Sequence, residues 1–330
     1  MLGVTFVSAT HAWALLNAEC SGGRCLRIVE TTDGGSTWSD IQPPPVPPGD
    51  GGLAIPGASS IRFANATDGW VFGPSLWSTH DDGATWNEIQ VPGLEVDSID
   101  QLEVVGPVAV AVGSKADLTA PAFRLAEAAV GGDAWEVVGL ESEYGAGPEP
   151  TPDLVASHGT GWYFQVDRVP IDGQRRSSAG WATWEPPCAG ENGPAVLAAA
   201  SAAELAAACQ VGVWGDSASG LAPGVRTFVS HDGGDHFAPV GGALPASGLR
   251  GIAMASASVI VVAGYDDTGD VLLRSADGGK TWNVVQRVTA GGLRYLGFTT
   301  ASQGVAIVTS LADGLLMTHD GGATWSAVHF

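Results

Sequence analysis

An eight-residue pattern, Ser/Thr-x-Asp-Gly-Gly-x-Thr-Trp, recurs along the whole 330-residue chain and constrains its fold more than any other feature. Five clear copies occupy residues 31–38, 79–86, 230–237, 275–282 and 318–325, and two weaker copies occupy residues 128–135 and 177–184. The closing aromatic residues follow one another at intervals of 43 to 53 residues and are Trp38, Trp86, Trp135, Trp184, Phe237, Trp282 and Trp325. One four-stranded propeller blade needs this length. We therefore predict an all-β fold, a single seven-bladed β-propeller.

The repeat also predicts the boundaries of the blades. We assign them to residues 1–44, 45–92, 93–142, 143–190, 191–242, 243–290 and 291–330, and we expect them to form one domain. The 47 glycines and 20 prolines separate short runs rich in Val, Ile, Leu and Trp, a composition typical of strands and turns. The alanine-rich residues 198–208 resemble a helix, but the repeat places them on the first two strands of the fifth blade, so we expect strands there.

The Asp-Gly-Gly core of the pattern indicates a hairpin turn between the third and fourth strands of a blade. Glycine reaches positive φ without steric cost, and aspartate accepts hydrogen bonds from nearby backbone N–H groups. We interpret the closing aromatic residue as the start of the next strand, packed between sheets. The repeated aspartates are then structural, and they are Asp33, Asp81, Asp232, Asp277 and Asp320.

The alternative is that these five carboxylates bind cations or act in catalysis. Five copies distributed around a ring do not converge on one point, which favours the structural interpretation. His80, His231 and His319 occupy the variable second position of the pattern, and no metal-ligand spacing joins them. We therefore expect no metal site and no cofactor.

The pattern is similar to the Asp-box, or bacterial neuraminidase repeat, of sialidases, xyloglucan-active glycoside hydrolases, sortilin-type receptors and photosystem II stability and assembly factors. A second element narrows the resemblance: an apolar residue stands seven positions before another at Phe6 and Trp13, Phe63 and Trp70, Val155 and Trp162, Ile252 and Val259, and Phe298 and Val305. This element resembles the assembly-factor-like group, often labelled sialidase-like. The resemblance implies Asp-box hairpins on a propeller and a role in building or stabilising a larger complex, although such repeats specify fold better than function.

The negative charge of the chain argues against partners that are themselves strongly negative. Lys and Arg number 14 against 35 Asp and Glu, giving a net charge of −21, which repels a nucleic-acid backbone or an anionic membrane surface. No run of 18 or more apolar residues is present, so we predict no transmembrane segment.

The four cysteines predict an oxidising compartment. Cys20 and Cys25 flank a hairpin tip, and Cys188 and Cys209 bracket the first hairpin of the fifth blade. We favour these two pairs as disulfides, although four cysteines allow three connectivities and four buried free thiols are the alternative. The repeats begin directly after Met1, so we expect a mature, monomeric fragment whose export signal or lipid anchor has been removed, located outside the cell or in its envelope.

Long connections place the expected ligand on the face opposite the short, uniform Asp-box turns. These connections are residues 42–59, 113–121, 140–153, 167–174, 185–194, 210–225 and 264–270, and long loops in compact domains are commonly functional. Aromatic rings stack on ligands, while carboxylates and guanidinium groups bind polar groups. The candidate ligand-binding residues are Tyr144, Asp172, Arg175, Arg176, Trp214, Asp216, Tyr265, Asp266 and Asp267.

Two functional hypotheses follow. The favoured one is an exported, non-enzymatic binding or scaffolding propeller that holds a protein, peptide or carbohydrate on the long-loop face. The alternative is a sialidase-like or xyloglucan-active-like glycoside hydrolase that uses paired carboxylates on that face. The chain departs from both enzyme groups, because sialidases have six blades and the xyloglucan-active enzymes clamp substrate between two propellers. Other catalytic motifs, such as Gly-x-Ser-x-Gly and His-Glu-x-x-His, are absent from the sequence.

Overall fold

The computed structural model describes residues 1–49, 57–94, 96–115, 122–143, 151–166, 170–188, 195–211, 224–288, 291–309 and 314–330. Over these residues the chain forms β-strands and no helix, so no helix able to cross a membrane occurs among them. The strands form seven four-stranded antiparallel sheets, and within each sheet they lie side by side in chain order. The prediction of an all-β chain with one sheet per repeat is confirmed.

The chain divides into two compact units, the first of which comprises residues 1–154 and Phe330. Sheet one contains β1 (Gly3–Phe6), β2 (Ala12–Cys20), β3 (Gly23–Thr31) and β4 (Ser39–Ile41). Sheet two contains β5 (Ser60–Phe63), β6 (Gly69–Phe72), β7 (Leu76–Thr79) and β8 (Asn87–Ile89). Sheet three contains β9 (Ser98–Val105), β10 (Val108–Lys115), β11 (Ala122–Ala129) and β12 (Glu136–Glu143).

The second unit comprises residues 155–329, and the boundary falls within the first strand of sheet four. Sheet four contains β13 (Thr151–Ser157), β14 (Thr160–Val166), β15 (Pro170–Ser177) and β16 (Gly180–Thr183). Sheet five contains β17 (Ala195–Ala199), β18 (Leu205–Val211), β19 (Gly224–Ser230) and β20 (Ala238–Leu244). Sheet six contains β21 (Gly248–Met254), β22 (Ile260–Asp266), β23 (Gly269–Ser275) and β24 (Asn283–Val288). Sheet seven contains β25 (Leu293–Phe298), β26 (Gly304–Val308), β27 (Leu315–Thr318) and β28 (Ser326–Val328).

The core lies along the middle strands of each sheet. Every residue of β6 and β26 is buried, whereas β4, β8 and β28 are exposed or half-buried along their whole length. A strand covered on both faces is a continuous apolar run, and an outer strand needs no apolar side chains. The alanine-rich β17 and β18 are strands, as the repeat register predicts, because burial of both faces outweighs their helical propensity.

The repeated octapeptide folds into a hydrogen-bonded turn between the third and fourth strands of a sheet. In sheet six, Asp277 Oδ1 accepts from Ser275 Oγ (2.8 Å) and from the Thr281 backbone N–H (2.9 Å), and Asp277 Oδ2 accepts from Thr281 Oγ1 (2.7 Å). Ser275 Oγ in turn accepts from the Gly279 N–H. The same four bonds form around the four other turn aspartates, Asp33, Asp81, Asp232 and Asp320, with a histidine, His236, replacing the threonine at Asp232.

A backbone bond ties each of these turns to the turn between the first and second strands of its own sheet. The Gly278 N–H donates to the Ser258 carbonyl (2.9 Å), and the corresponding bonds run from Gly34 to Thr10, from Asp82 to Thr67, from Gly233 to Ala203 and from Gly321 to Ser302. The donor has a φ of +63° to +78° in all five turns, a conformation that glycine adopts without steric cost. We call this end of each sheet the box end.

Loss of one turn aspartate is expected to lower stability in a pH-dependent way. Hydrogen bonds, first from the Thr281 hydroxyl and then from its N–H, lower the pKa of Asp277 from 3.8 to about 2. Since folding lowers this pKa, the stabilisation is complete above about pH 4 and is lost as the pH falls through about 2. Asp277→Ala should therefore lower the melting temperature by a few degrees at pH 7, and the difference from the wild type should shrink towards pH 2.

Calorimetry across that pH range measures the effect. The matched control is Asp267→Ala, which removes an exposed carboxylate from the other end of the same sheet. An equal melting temperature for wild type and Asp277→Ala at pH 7 would show that the aspartate does not hold the turn.

Trp184 departs from the expected position. The sequence places it at the start of the last strand of its blade, but in the structure it follows β16, because β15 and β16 are joined by a two-residue turn in which Ser177 pairs with Gly180. Trp184 instead covers Gly234 of sheet five, and its Nε1 donates to the Gly234 carbonyl (2.9 Å). Ile41 and Val240 cover the equivalent glycines of sheets two and six, so Trp184 fills the place of a last-strand apolar residue.

Both predicted disulfides are formed. Cys20 is bonded to Cys25 across the tip of the β2–β3 hairpin, and Cys188 is bonded to Cys209 on β18. Cys209 is fully buried, and Cys188 precedes the first strand of the same sheet. The second bond therefore fixes the segment that enters sheet five to the middle of that sheet.

Candidate functional site

Strand order fixes which end of a sheet carries the long connections. Since each sheet is an antiparallel meander, the turn between the second and third strands and the segment leading to the next sheet lie opposite the box end. We call this the connection end. Of the nine candidate residues, Tyr144, Trp214 and Asp216 lie outside the described residues, and Asp172 lies on β15 in a stretch where side chains are not described.

Arg175 and Arg176 do not lie on a connection-end loop, contrary to the prediction. Both are on β15 close to the box end, where Arg175 pairs with Ala182 and Arg176 with Trp181. Arg175 Nη1 donates to the Gly233 carbonyl (3.1 Å) and to Asp235 Oδ1 (2.7 Å) in the turn of sheet five. The predicted connection covered residues 167–174, but β15 already begins at Pro170, so both arginines lie on this strand and the Arg175 guanidinium holds a neighbouring turn.

Tyr265, Asp266 and Asp267 remain together at the connection end of sheet six. Tyr265 and Asp266 end β22, and Asp267 belongs to the turn that leads to β23. Gly248 of β21 pairs with Tyr265, and any side chain at Gly248 would collide with the tyrosine ring, since an added Cβ would lie 2.2 Å from it. The glycine thus lets the ring lie across the first strand of the sheet.

An arginine lies over this ring. The guanidinium carbon of Arg250, on β21, is 4.7 Å from the centre of the Tyr265 ring, within the range of a cation–π contact. Arg250 Nε also donates to Asp270 Oδ2 (3.3 Å), and the same oxygen accepts from the Leu293 N–H (2.7 Å). The Asp270 side chain is 5% exposed and that of Arg250 is 45% exposed. A buried carboxylate therefore orients a cation that remains open to solvent.

A second arginine anchors the adjacent turn. Arg287 Nη1, from β24, donates to Asp266 Oδ2 (2.9 Å) and to Thr268 Oγ1 (2.7 Å). Hydrogen bonds from the Thr268 hydroxyl and from Arg287 lower the pKa of Asp266 to about 2. Asp266 is thus ionised at neutral pH and serves as a hydrogen-bond acceptor, not as a proton donor.

The resulting cluster consists of Arg250, Tyr265, Asp266, Asp270 and Arg287. Its members present exposed cationic groups, an aromatic face and a carboxylate within one sheet end. The sequence predicted Tyr265 and Asp266 but not Arg250, Asp270 and Arg287, because these three lie on strands and the prediction covered loops. The β22–β23 register, which pairs Tyr265 with Asp270, is a signal that could have revealed Asp270.

Comparison with known proteins defines the fold of the chain. No protein-family model and no curated protein matches it. A solved structure described as YCF48 bound to D1 peptide matches 97% of this chain and 92% of its own, at 19% identity and a TM-score of 0.62. YCF48 from Cyanidioschyzon merolae matches 97% of this chain and 94% of its own, at 17% identity and a TM-score of 0.60.

A third similar structure is the Niastella koreensis GH74 enzyme, at 12% identity and a TM-score of 0.50, where this chain covers 64% of the enzyme chain. At identities this low the likeness concerns the fold alone. The seven sheets are the blades of a seven-bladed β-propeller.

Proposed function

We propose that this protein is an exported, non-enzymatic propeller that binds a peptide segment of another protein at the connection end of sheet six. The observation that carries the proposal is the solvent-open Arg250 guanidinium held over Tyr265 and oriented by buried Asp270. An arginine fixed in this way loses little side-chain freedom on binding, and interface energy concentrates at such arginines and tyrosines.

The cluster offers the groups that a peptide backbone requires. The free N–H groups of an arginine recognise carbonyl or carboxylate oxygens, Asp266 and Asp267 accept from amide or cationic donors, and the tyrosine ring supplies apolar area. The two disulfides support export to an oxidising compartment. One similar structure, YCF48 bound to D1 peptide, holds a peptide on the same fold, which favours a peptide over a glycan as the first ligand to test. The same similarity favours the assembly-factor-like role for this Asp-box propeller over a sialidase-like role.

The hydrolase alternative requires a carboxylic acid that donates a proton and a second carboxylate placed to assist it. Asp266 has a lowered pKa and an arginine partner, which suits an ionised acceptor and opposes a general-acid role. This argues against catalysis in the cluster, and an activity assay tests the point directly.

The binding experiment uses an immobilised array of random peptides to select a ligand, followed by titration of that peptide into the purified protein. We expect Arg250→Ala and Tyr265→Ala each to weaken binding about tenfold or more, because each removes one member of the stacked pair. Lys280→Ala is the matched control, since it removes one exposed positive charge from the box end of the same sheet.

Two outcomes would overturn the proposal. One is equal weakening by Lys280→Ala, which would indicate nonspecific charge attraction. The other is release of sugar from xyloglucan or a sialoside that is lost in Asp266→Asn, which would establish the hydrolase.

A further inference from the structure

A histidine and two carboxylates converge at the box end of the first unit, far from any residue of the sheet-six cluster along the chain. His11 lies in the turn between β1 and β2, Glu30 lies near the end of β3, and Asp82 lies in the turn between β7 and β8 of sheet two. One ligand atom from each side chain lies within 4.8 Å of those of the other two. His11 Nε2 and Glu30 Oε1 are 2.8 Å apart, and their side chains are only 18% and 15% exposed.

Asp82 occupies a position that is glycine in the four other intact turns. Its φ is +63°, and its N–H makes the same bond to the first turn of its sheet that the glycines make. Aspartate tolerates this conformation better than most residues with a side chain, but its carboxylate contributes nothing to that bond. The backbone bond of the turn therefore leaves the carboxylate available for another contact.

Two buried polar atoms at this place lack hydrogen-bond partners among the described residues. They are Asp82 Oδ1 and Nε1 of Trp13, whose side chain is fully buried. Burial raises the pKa of Asp82, and the Trp13 indole N–H, which lies against the carboxyl, opposes this rise as a hydrogen-bond donor does, although the two atoms do not reach the geometry of a regular hydrogen bond. Buried polar atoms are almost always satisfied in native proteins, and a carboxylate held this loosely can accept a further partner.

The charge of the cluster is opposite to that at equivalent places in the second unit. The residue that corresponds to Glu30 in sheet six is Arg274, whose Nε donates to the Gly321 carbonyl in the turn of sheet seven (2.7 Å). Arg175 likewise donates to the Gly233 carbonyl. In sheets five and seven, the turn is contacted by an arginine of the preceding sheet. In sheet two, the residue of the preceding sheet is Glu30, and the turn itself carries the Asp82 carboxylate. Positive charge is thus missing at this contact.

We propose that His11, Glu30 and Asp82 bind a divalent transition-metal ion, with Zn²⁺ as the preferred ion, and that this ion joins sheets one and two. Imidazole nitrogens and carboxylate oxygens are both zinc ligands in proteins, and three protein ligands leave a fourth position for water. Zinc bonds of about 2.0–2.2 Å place tetrahedral ligand atoms roughly 3.4 Å apart, so small side-chain shifts suffice. An imidazole favours Zn²⁺ over Ca²⁺ or Mg²⁺, which prefer six or more oxygens. The ion would replace the direct hydrogen bond between His11 Nε2 and Glu30 Oε1.

Spacing along the sequence does not reveal such a site, because its three residues come from three different turns and strands. The expectation of no metal site rested on the repeated aspartates, which do not converge on one point, and on the histidines within the repeated pattern. His11 precedes the first copy of the pattern, and Asp82 stands where the pattern has its first glycine, so it reads as a simple departure from the repeat.

Zn²⁺ titration of chelator-treated, dialysed protein tests the proposal by calorimetry and by the melting temperature. We expect one high-affinity Zn²⁺ per chain and a higher melting temperature with the ion, since an ion bound only by the folded state stabilises it. Asp82→Gly is the decisive variant, because it restores the residue found in the other turns and should fold normally. It should bind Zn²⁺ at least about 100-fold more weakly, as should His11→Gln.

The matched control is His231→Gln, which removes a box-end histidine paired with Glu204 in sheet five and should leave Zn²⁺ affinity unchanged. Absence of Zn²⁺ binding in the wild type would overturn the proposal. Unchanged binding in Asp82→Gly would overturn it as well, and equal shifts with Ca²⁺ or Mg²⁺ would refute the choice of a transition metal.

Discussion

Replacing Trp70 with alanine is expected to lower the free energy of unfolding by about 3–5 kcal/mol, the range for removing a large aromatic side chain from a packed core. Trp70 is fully buried and packs in a cluster that joins sheets two and three. Its ring lies edge-on to Trp135, with ring centres 6.3 Å apart and planes at 84°. Loss of the indole removes apolar contacts on both sheets at once, and the backbone of two paired sheets cannot collapse into the space.

Denaturant unfolding followed by far-UV circular dichroism measures this loss without depending on tryptophan fluorescence. Val284→Ala is the control, since Val284 is 41% exposed and its truncation should change stability by less than about 0.5 kcal/mol. A loss below about 1 kcal/mol for Trp70→Ala would contradict the close packing of these two sheets.

Removal of the Cys188–Cys209 bond by the double substitution Cys188→Ala and Cys209→Ala is expected to lower the free energy of unfolding by about 3 kcal/mol. The bond joins residues 21 positions apart, and the stabilisation from closing a chain loop grows slowly with its length. Burial of Cys209 adds a packing cost to the entropic one. The same denaturant experiment, performed without reductant, provides the measurement.

The Cys20–Cys25 bond supplies the comparison. It joins residues only 5 positions apart at an exposed hairpin tip, so its removal should cost about 2 kcal/mol or less. Equal destabilisation by removal of the Cys20–Cys25 bond and of the Cys188–Cys209 bond would contradict the expected dependence on loop length.

The sheets were predictable because their signals are local. The turn aspartates, the Ser or Thr two residues before them and the residue four positions after them bond within one octapeptide, so the pattern alone specifies the hairpin. The apolar middle strands follow from the same repeat. Even the alanine-rich β17 and β18 could be placed, because the repeat register outweighs a weak local propensity.

The functional residues were harder to predict because their contacts join distant parts of the chain. Arg250 meets Tyr265 only through the pairing of β21 and β22, and Arg287 reaches Asp266 from the last strand of the sheet. Arg175 was misplaced because β15 begins as early as Pro170, and Trp184 was misplaced because the weaker copy of the pattern in sheet four forms a shorter turn, which leaves Trp184 beyond β16. A repeat predicts its regular members well and its exceptions poorly.

The backbone bond that ties the two box-end turns in five of the sheets has a consequence for how such a chain can acquire chemistry. The bond uses only N–H and carbonyl groups, so it survives when aspartate replaces glycine at position 82. One repeat can therefore gain a reactive side chain at this position while the strands and turns of the other six repeats stay unchanged. Residues 34, 233, 278 and 321 are the matching positions at which an engineer could graft further ligands, one repeat at a time.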